Sequence, residues 1–137
     1  MSDPDARFTA THEHVHAWLG RYERAWRTPG TAALADVFAD DATYLTAPFD
    51  PPITGMVSIG EMWERERDGP DEPFTMRSEI VAVEGDTAVV RVEVKYAAPP
   101  ATQYRDLWVI RFDASGRCRA FEEWPFWPSR PRATSDL

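Results

Sequence analysis

The sequence lacks several features that would point directly to a function. It contains a single cysteine, Cys118, which excludes an internal disulfide and makes a reducing cytoplasm the expected location. No apolar run reaches membrane-spanning length, and the first residues contain no apolar leader segment. Positive charge is in deficit, because 15 Lys and Arg stand against 23 Asp and Glu, a net charge of −8. Nucleic acid and anionic membrane are therefore not expected as partners.

Motifs for phosphate, metal or nucleophile chemistry are equally scarce. There is no Gly-rich phosphate loop, and we expect no cofactor. Residues 12–16 (HEHVH) have the H-E-x-x-H spacing of zinc proteases. The stretch uses all three histidines, however, so no third histidine ligand remains, and Tyr22 stands where it would fall. We predict an exposed helix start without a metal, and we expect Cys118 to pack in a strand rather than act as a nucleophile.

Apolar residues at helical spacing predict three helices in the first half of the chain. The first covers about residues 12–27 and ends before Pro29-Gly30. A short second helix is predicted around residues 34–38, ending near residues 40–41. The third is expected to begin at a capping box, Ser58 to Glu61, with Val57 and Met62 as a hydrophobic staple, and to end at Gly69-Pro70.

The second half of the chain reads as strands. A brief strand is predicted at residues 42–46, and longer strands at about 74–83, 87–96, 103–112 and 117–127, with turn residues at 84–86 and 113–116. Helices followed by a run of antiparallel strands indicate an α+β fold. We expect one domain over residues 11–128, between loose tails at residues 1–10 and 129–137.

Four stretches resemble the NTF2-like superfamily, in particular its SnoaL-like group. They are residues 21–44 (RYERAWRTPGTAALADVFADDATY), residues 48–55 (PFDPPITG), the third predicted helix with Trp63, and residues 106–124 (DLWVIRFDASGRCRAFEEW). The resemblance implies a cone, in which a curved antiparallel sheet wraps around three N-terminal helices and leaves a cavity. It implies little about function, because this fold hosts isomerases, hydrolases, cyclases and non-enzymes.

Two enzyme families of this superfamily allow a comparison by residue. Ketosteroid isomerases resemble the sequence at Tyr22, but Thr46 stands at the position of their base and Trp108 at that of their late-strand acid. Isomerisation by that route is not expected. Limonene-type epoxide hydrolases resemble the sequence more closely. Arg91 and Glu93 stand at the positions of their arginine–acid pair, and Glu123 stands at that of their last-strand acid.

The last strand contains the adjacent pair Glu122 and Glu123. Neighbouring side chains of a strand point to opposite faces, so only one of the two should face the interior. The resemblance implies that Glu123 points inward, beside Phe121, and that Glu122 points outward. The resemblance to the epoxide hydrolases implies that Glu123 is the base that activates water, Glu93 the acid that donates to the epoxide oxygen, and Arg91 the group that orients both. It also matches Tyr44 to a tyrosine that holds the water, while Thr46 replaces an asparagine. Asp106 is a second candidate for either acid role.

The strand at residues 87–96 permits two orientations. Alternation alone places its valines in the core and Arg91 and Glu93 in solvent. The resemblance reverses this and turns Arg91 and Glu93 into the cavity, which is the orientation we adopt. An apolar patch would then cover the outer sheet face and predict a homodimer through that face. The patch would consist of Val90, Val92, Val94, Leu107 and Val109.

The leading functional hypothesis is cofactor-independent acid–base chemistry on a small apolar molecule, with hydration of an epoxide or a related ring as the first candidate. One alternative is a ligand-binding protein without turnover, in which the charged residues form a structural ion network. Another is the aldol-type cyclisation or dehydration of polyketide cyclases. In each case we expect a largely aromatic pocket, with substrate-binding residues Trp18, Tyr22, Thr46, Trp63, Tyr104, Trp108 and Phe121.

Overall fold

Two helices and a six-stranded sheet make up the part of the chain that the structure, a computed structural model, describes: residues 8–66, 74–97 and 102–126. The elements are α1 (His12–Arg27), β1 (Phe38–Leu45), β2 (Ile53–Thr54), α2 (Met56–Glu66), β3 (Phe74–Glu84), β4 (Thr87–Tyr96), β5 (Thr102–Phe112) and β6 (Cys118–Phe126). The α+β class predicted from the order of elements is confirmed.

Helix α1 follows its predicted bounds. The Thr11 hydroxyl accepts a hydrogen bond from the His14 backbone N–H at 3.1 Å, which caps the first turn. Val15, Trp18 and Tyr22 recur at helical spacing and are buried against the sheet. This face of α1 therefore supplies one wall of the molecule's interior.

The sheet has the order β2-β1-β6-β5-β4-β3. Strands β3 to β6 are antiparallel neighbours, but β1 pairs with β6 in parallel, with Tyr44 opposite Phe121. The sheet is therefore mixed, not wholly antiparallel as the resemblance implied. The parallel pairing places Tyr44 next to the strand that carries Glu123, and it thereby brings the first and last strands to one site.

The predicted second helix is largely wrong. A 3₁₀ turn covers Ala32–Asp36, and the chain is already in β1 at Phe38. Val37 and Phe38 are fully buried, as their apolar character indicated. Phe38 belongs to β1, where it lies opposite Cys118 of β6. Its ring packs against those of Trp18 and Phe121, so its burial comes from a strand position and not from a helix face.

Helix α2 begins two residues before the predicted capping box. Gly55 adopts φ 91°, a conformation that L side chains rarely adopt, and the chain turns there into the helix at Met56. Ser58 consequently lies inside the helix, and Val57 is 77% exposed and forms no hydrophobic staple. Met62 and Trp63 are buried as predicted. The predicted helix end at Gly69-Pro70 lies outside the described residues.

The predicted tails lie mostly outside the described residues, but residues 8–10 are described and are packed. Ala10 is buried, and its N–H donates to the Gly85 carbonyl at 2.8 Å. The Phe8 ring lies 4.3 Å from the His14 ring and 5.8 Å from the Phe112 ring, measured between centroids. The expectation of a loose chain is wrong for these three residues, because they close one end of the core.

Candidate functional site

A cavity of ≈ 570 Å³ lies between the two helices and the inner face of the sheet, the face toward the helices. All four tyrosines of the sequence line it, together with Trp26 and Trp108. Its volume is within the range of small-molecule sites in proteins, and seven of its sixteen described lining residues are aromatic. The cavity is therefore the candidate ligand site of the described chain.

The two adjacent glutamates of β6 lie on opposite faces of the sheet. Glu123 pairs with Trp108 of β5 and lines the cavity. Glu122 is on the outer face, where it accepts hydrogen bonds from Arg111 Nη1 at 3.0 Å and Trp124 Nε1 at 3.2 Å. The outer glutamate is thus neutralised by an arginine, and the inner one faces aromatic side chains.

Asp106 is buried beside Glu123. It lies on the inner face of β5 between Tyr104 and Trp108, and only 2% of its surface is exposed. Trp108 Nε1 donates to Asp106 Oδ2 at 3.0 Å, whereas Oδ1 has no hydrogen-bond partner among the described residues. A buried acceptor without a partner is costly to the fold, which marks Asp106 as a residue with a task beyond packing.

Burial raises the pKa of the Glu123 carboxyl well above its usual range, and its interaction with Asp106 raises that pKa further. A hydrogen bond with Tyr44 acts in the opposite direction. Burial and the neighbouring carboxyl group thus both favour the neutral form of Glu123. The side-chain hydrogen bond with Asp106 among these causes places the two carboxyl groups side by side.

The four tyrosine hydroxyls of the cavity form two pairs. The hydroxyl oxygens of Tyr22 and Tyr44 are 3.2 Å apart, and those of Tyr96 and Tyr104 are 3.4 Å apart. Burial raises the pKa of Tyr22, Tyr44 and Tyr104, so these groups stay neutral and can donate a hydrogen bond at any physiological pH. They supply polar contacts beside the carboxyl pair without adding charge.

The stability of the fold should depend on the ionisation of Glu123. Because its pKa in the folded state is raised, the stability that the neutral carboxyl contributes is fully present below the unfolded-state pKa of about 4.3 and is lost as pH rises through the folded-state pKa. Glu123→Gln removes this loss. We expect the melting temperature of the variant to exceed that of the wild type increasingly between pH 4 and pH 8, whereas Glu122→Gln should show no such trend. A constant difference across this range would contradict the buried ionisation.

Arg91 and Glu93 do not belong to this site. Val90, Val92 and Val94 occupy the inner face of β4, with exposed fractions of 0%, 0% and 6%, so their neighbours point outward. Arg91 Nη1 binds Glu79 Oε1 at 2.6 Å on the outer face, and Glu93 is close to Lys95 and Arg105 there. The predicted inward orientation is wrong, because three valines gain more from burial than an arginine–acid pair does.

The other predicted site residues divide into two groups. Tyr22, Tyr44, Thr46, Tyr104 and Trp108 line the cavity, and Thr46 Oγ1 donates to Asp50 Oδ2 at 2.8 Å near its edge. The second group lies behind the lining, in the core, and consists of Trp18, Trp63 and Phe121. Trp18 donates to the Val37 carbonyl at 2.9 Å, and Trp63 and Phe121 pack against the lining tyrosines.

Several lining residues were missed in the sequence. Trp26 and Glu66 stand near the ends of the two helices, and Tyr96 and Met76 stand toward the open end of the β3–β4 hairpin. For Tyr96 a signal existed, because it shares the two-residue period of the buried valines of β4. The positions of Glu66 and Met76 depend on how the helices lie across the sheet, and no local pattern encodes that.

The remaining candidate groups have structural surroundings. His12 and His16 are exposed, and His14 is partly buried with Nε2 3.0 Å from the Gly116 carbonyl oxygen. In the described segments no cluster of three or more His, Cys, Asp or Glu side chains has the arrangement of a metal site. Burial raises the pKa of the Cys118 thiol to about 12, which keeps it protonated. Neither described helix is long and apolar enough to cross a membrane.

The fold and the cavity define an α+β pocket protein, in which a sheet and two helices enclose a small-molecule site. The family model of the SnoaL-like domain matches residues 19–121. The chain therefore belongs to the SnoaL-like domain family, within the NTF2-like superfamily, which includes both enzymes and ligand-binding proteins. The match ends two residues before Glu123. No curated protein matches the sequence, and the particular resemblance to limonene-type epoxide hydrolases gains no support.

Proposed function

We propose that the protein binds a small, largely apolar molecule in this cavity and performs cofactor-independent acid–base chemistry on it. The observation that carries the proposal is the Asp106–Glu123 pair: Glu123 lines a cavity with no arginine or lysine among the described lining residues, and Asp106 is buried beside it. A carboxyl group whose pKa is raised above its usual range retains a proton to donate, which is what general acid catalysis requires. The raised pKa of Glu123 supports this reading.

Hydration of an epoxide is the reaction that we assign first. The ionised member of the pair takes a proton from a water molecule near Tyr44, and the water oxygen attacks a ring carbon. The carbon–oxygen bond of the ring breaks, and the protonated member donates its proton to the leaving oxygen. The product is a diol, and the pair again holds one proton. Glu123, whose pKa is raised, takes the acid role that the sequence comparison gave to Glu93, Asp106 takes the role of the base, and no arginine is required.

The test is turnover of small cyclic epoxides by the wild-type protein. We expect diol formation above the uncatalysed rate and, in ¹⁸O-labelled water, one labelled oxygen in each diol. No turnover of any epoxide, together with tight binding of an apolar ligand, would contradict the catalytic proposal.

A ligand-binding protein without turnover is the second candidate. One observation favours it: the cavity hydroxyls contact one another in pairs, Tyr22 with Tyr44 and Tyr96 with Tyr104, and they are therefore partly satisfied before any ligand arrives. Aldol-type cyclisation or dehydration would use the same carboxyl pair to move a proton at carbon. No feature of the described residues favours it over hydration.

We also propose a homodimer through the outer face of the sheet, with a patch different from the one first predicted. Leu107 and Trp124 are cross-strand neighbours on β5 and β6 with 39% and 40% of their surface exposed, and Phe126 is 49% exposed. Ion pairs with both signs of charge flank them, including Arg111–Glu122. A second copy related by a two-fold axis would cover the apolar residues and can place opposite charges together.

Replacing Trp124 with glutamate should therefore shift the protein toward a monomer. We expect light scattering at micromolar concentration to give the mass of a dimer for the wild type and about half that mass for Trp124→Glu. Val81→Lys is the matched control, since Val81 is 46% exposed on β3, away from β5 and β6. A wild-type monomer, or equal effects of both variants, would contradict this interface.

A further inference from the structure

The charges around the cavity are of one sign. Asp50, Glu66 and Glu123 line it, and Asp106 lies behind Glu123. No arginine, lysine or histidine is among the described lining residues. Arg27 is near the cavity edge, but it is bound to Glu23 at 2.9 Å and lies 3.8 Å from the centre of the Phe74 ring. The described lining therefore offers acidic side chains to a ligand and no cation.

The lining also provides the groups that bind organic cations in proteins. Tyrosine and tryptophan rings attract a cation over their faces, and tyrosine oxygens accept hydrogen bonds. Tyr22, Tyr44, Tyr104 and Trp108 surround the carboxyl pair, and Trp26 lies further along the same wall. A molecule with apolar bulk and one positive charge would meet aromatic surface and a counter-ion at once.

The carboxyl pair has one unfilled acceptor. Asp106 Oδ1 is buried without a hydrogen-bond partner among the described residues, on the inner face between two residues that line the cavity. A protonated amine has up to three N–H donors and a positive charge, and it meets this need more completely than the single proton of Glu123.

We propose that the cavity is selective for small apolar molecules that carry a protonated amine, whose ammonium group binds at Asp106 and Glu123. This inference names the ligand class of the cavity and rests on the proposed function only for the site, not for turnover. On binding, the ammonium group takes the place of the proton on Glu123, and that proton leaves to solvent. An amine should consequently compete with a neutral epoxide for the same carboxyl pair.

The pH dependence follows from the groups that face Glu123. They are Tyr22 of α1, Tyr44 of β1, Glu66 of α2, Tyr96 of β4, and Tyr104 and Asp106 of β5. None of them is a cation, and burial keeps Tyr22, Tyr44 and Tyr104 neutral. Affinity for an amine should therefore rise with pH until Glu123 is ionised in the free protein, and proton release should disappear above that pH.

Calorimetric titration with matched probes tests the proposal. We expect 2-phenylethylamine to bind at least about tenfold tighter than 2-phenylethanol at pH 7, which corresponds to about 1.4 kcal/mol. Titrations in two buffers of different ionisation enthalpy should reveal the released proton. Glu123→Gln should reduce the preference for the amine to about threefold or less, and Glu122→Gln, the matched control on the outer face, should leave it unchanged.

The outcomes separate this inference from the catalytic proposal. Equal affinity for the amine and the alcohol, or a preference that Glu123→Gln leaves intact, would overturn the amine selectivity even if neutral epoxides are hydrated. Amine selectivity without turnover of any epoxide would uphold the inference and count against hydration. If both hold, 2-phenylethylamine should act as a competitive inhibitor of diol formation.

Discussion

Glu123→Gln is expected to lower the rate of epoxide hydration by about 10²–10⁴, the usual effect of losing a general acid or base. Glutamine has nearly the same shape as glutamate and can still hydrogen-bond to Asp106 and Tyr44, so the fold should survive. It has no carboxyl proton to donate to the leaving oxygen. The measurement is the initial rate of diol formation, with a melting curve for each variant to verify that it is folded.

Glu122→Gln is the matched control for this experiment. The two positions are adjacent in β6 and receive the same chemical change, but Glu122 binds Arg111 on the outer face. We expect its rate to remain within about twofold of the wild type. Exposed ion pairs contribute only about 0–1 kcal/mol to the free energy of unfolding, and this ion pair does not contact the cavity. Equal rates for Glu123→Gln and the wild type would refute the catalytic role of Glu123.

Asp106→Asn should act through the same proton and therefore not add to Glu123→Gln. Residues that work as a unit show strongly non-additive effects on rate. The double variant should be about as slow as the slower single variant, whereas two independent groups would multiply their effects. The pH profile gives a second readout: without Asp106 the raised pKa of Glu123 should move toward its usual range, since that neighbour is one of its causes.

Much of the fold was predictable because its signals are local. Alternation of side chains and turn residues located β4 at Thr87–Tyr96 as predicted, and the apolar spacing around Trp18 and Tyr22 located α1. The 3₁₀ turn and the early start of α2 were missed for a common reason. The 3₁₀ turn leads into β1, which pairs with β6, and the start of α2 follows the positive φ of Gly55; apolar spacing reveals neither.

The candidate site was predicted only in part, for a physical reason. Alternation in β6 predicted that Glu122 and Glu123 lie on opposite faces, and the resemblance indicated that Glu123 is the inner one. The proximity of Asp106 and Glu123, by contrast, depends on the register between β5 and β6, where Trp108 is opposite Glu123 and Asp106 is opposite Pro125. A shift of one residue in either strand would separate the two carboxyl groups onto different faces, and the register includes an irregularity between Arg111 and Phe112 that the sequence pattern did not predict.

The error at Arg91 shows which of two arguments deserved more weight. Alternation in β4 indicated a valine core, and the resemblance to epoxide hydrolases indicated the reverse. The structure follows the alternation. Burying Val90 and Val92 removes apolar surface from water at no electrostatic cost, whereas burying Arg91 and Glu93 would require desolvation of both charges. The apolar pattern was therefore the stronger physical signal, and it should override an alignment of charged residues when the two disagree.

Val92→Lys tests which face of β4 points into the core, and it should have the largest effect on stability. Val92 is fully buried on the inner face, and a lysine there would place an unpaired charge in the core, at a cost of roughly 4 kcal/mol or more. This is a large share of the 5–15 kcal/mol by which domains are typically stable, so we expect a variant that is unfolded or melts far below the wild type.

Two neighbouring substitutions serve as controls for Val92→Lys. Arg91→Ala removes an exposed ion pair with Glu79 and should change the free energy of unfolding by about 1 kcal/mol or less. Leu107→Lys lies opposite Arg91 on the outer face and should weaken the proposed dimer while the monomer stays folded. Denaturant unfolding of the three variants distinguishes the two orientations of β4. The inward orientation of Arg91 predicts a stable Val92→Lys monomer and a strongly destabilised Arg91→Ala. A stable Val92→Lys together with a strongly destabilised Arg91→Ala would overturn the orientation of β4, and with it the assignment of the cavity to Asp106 and Glu123.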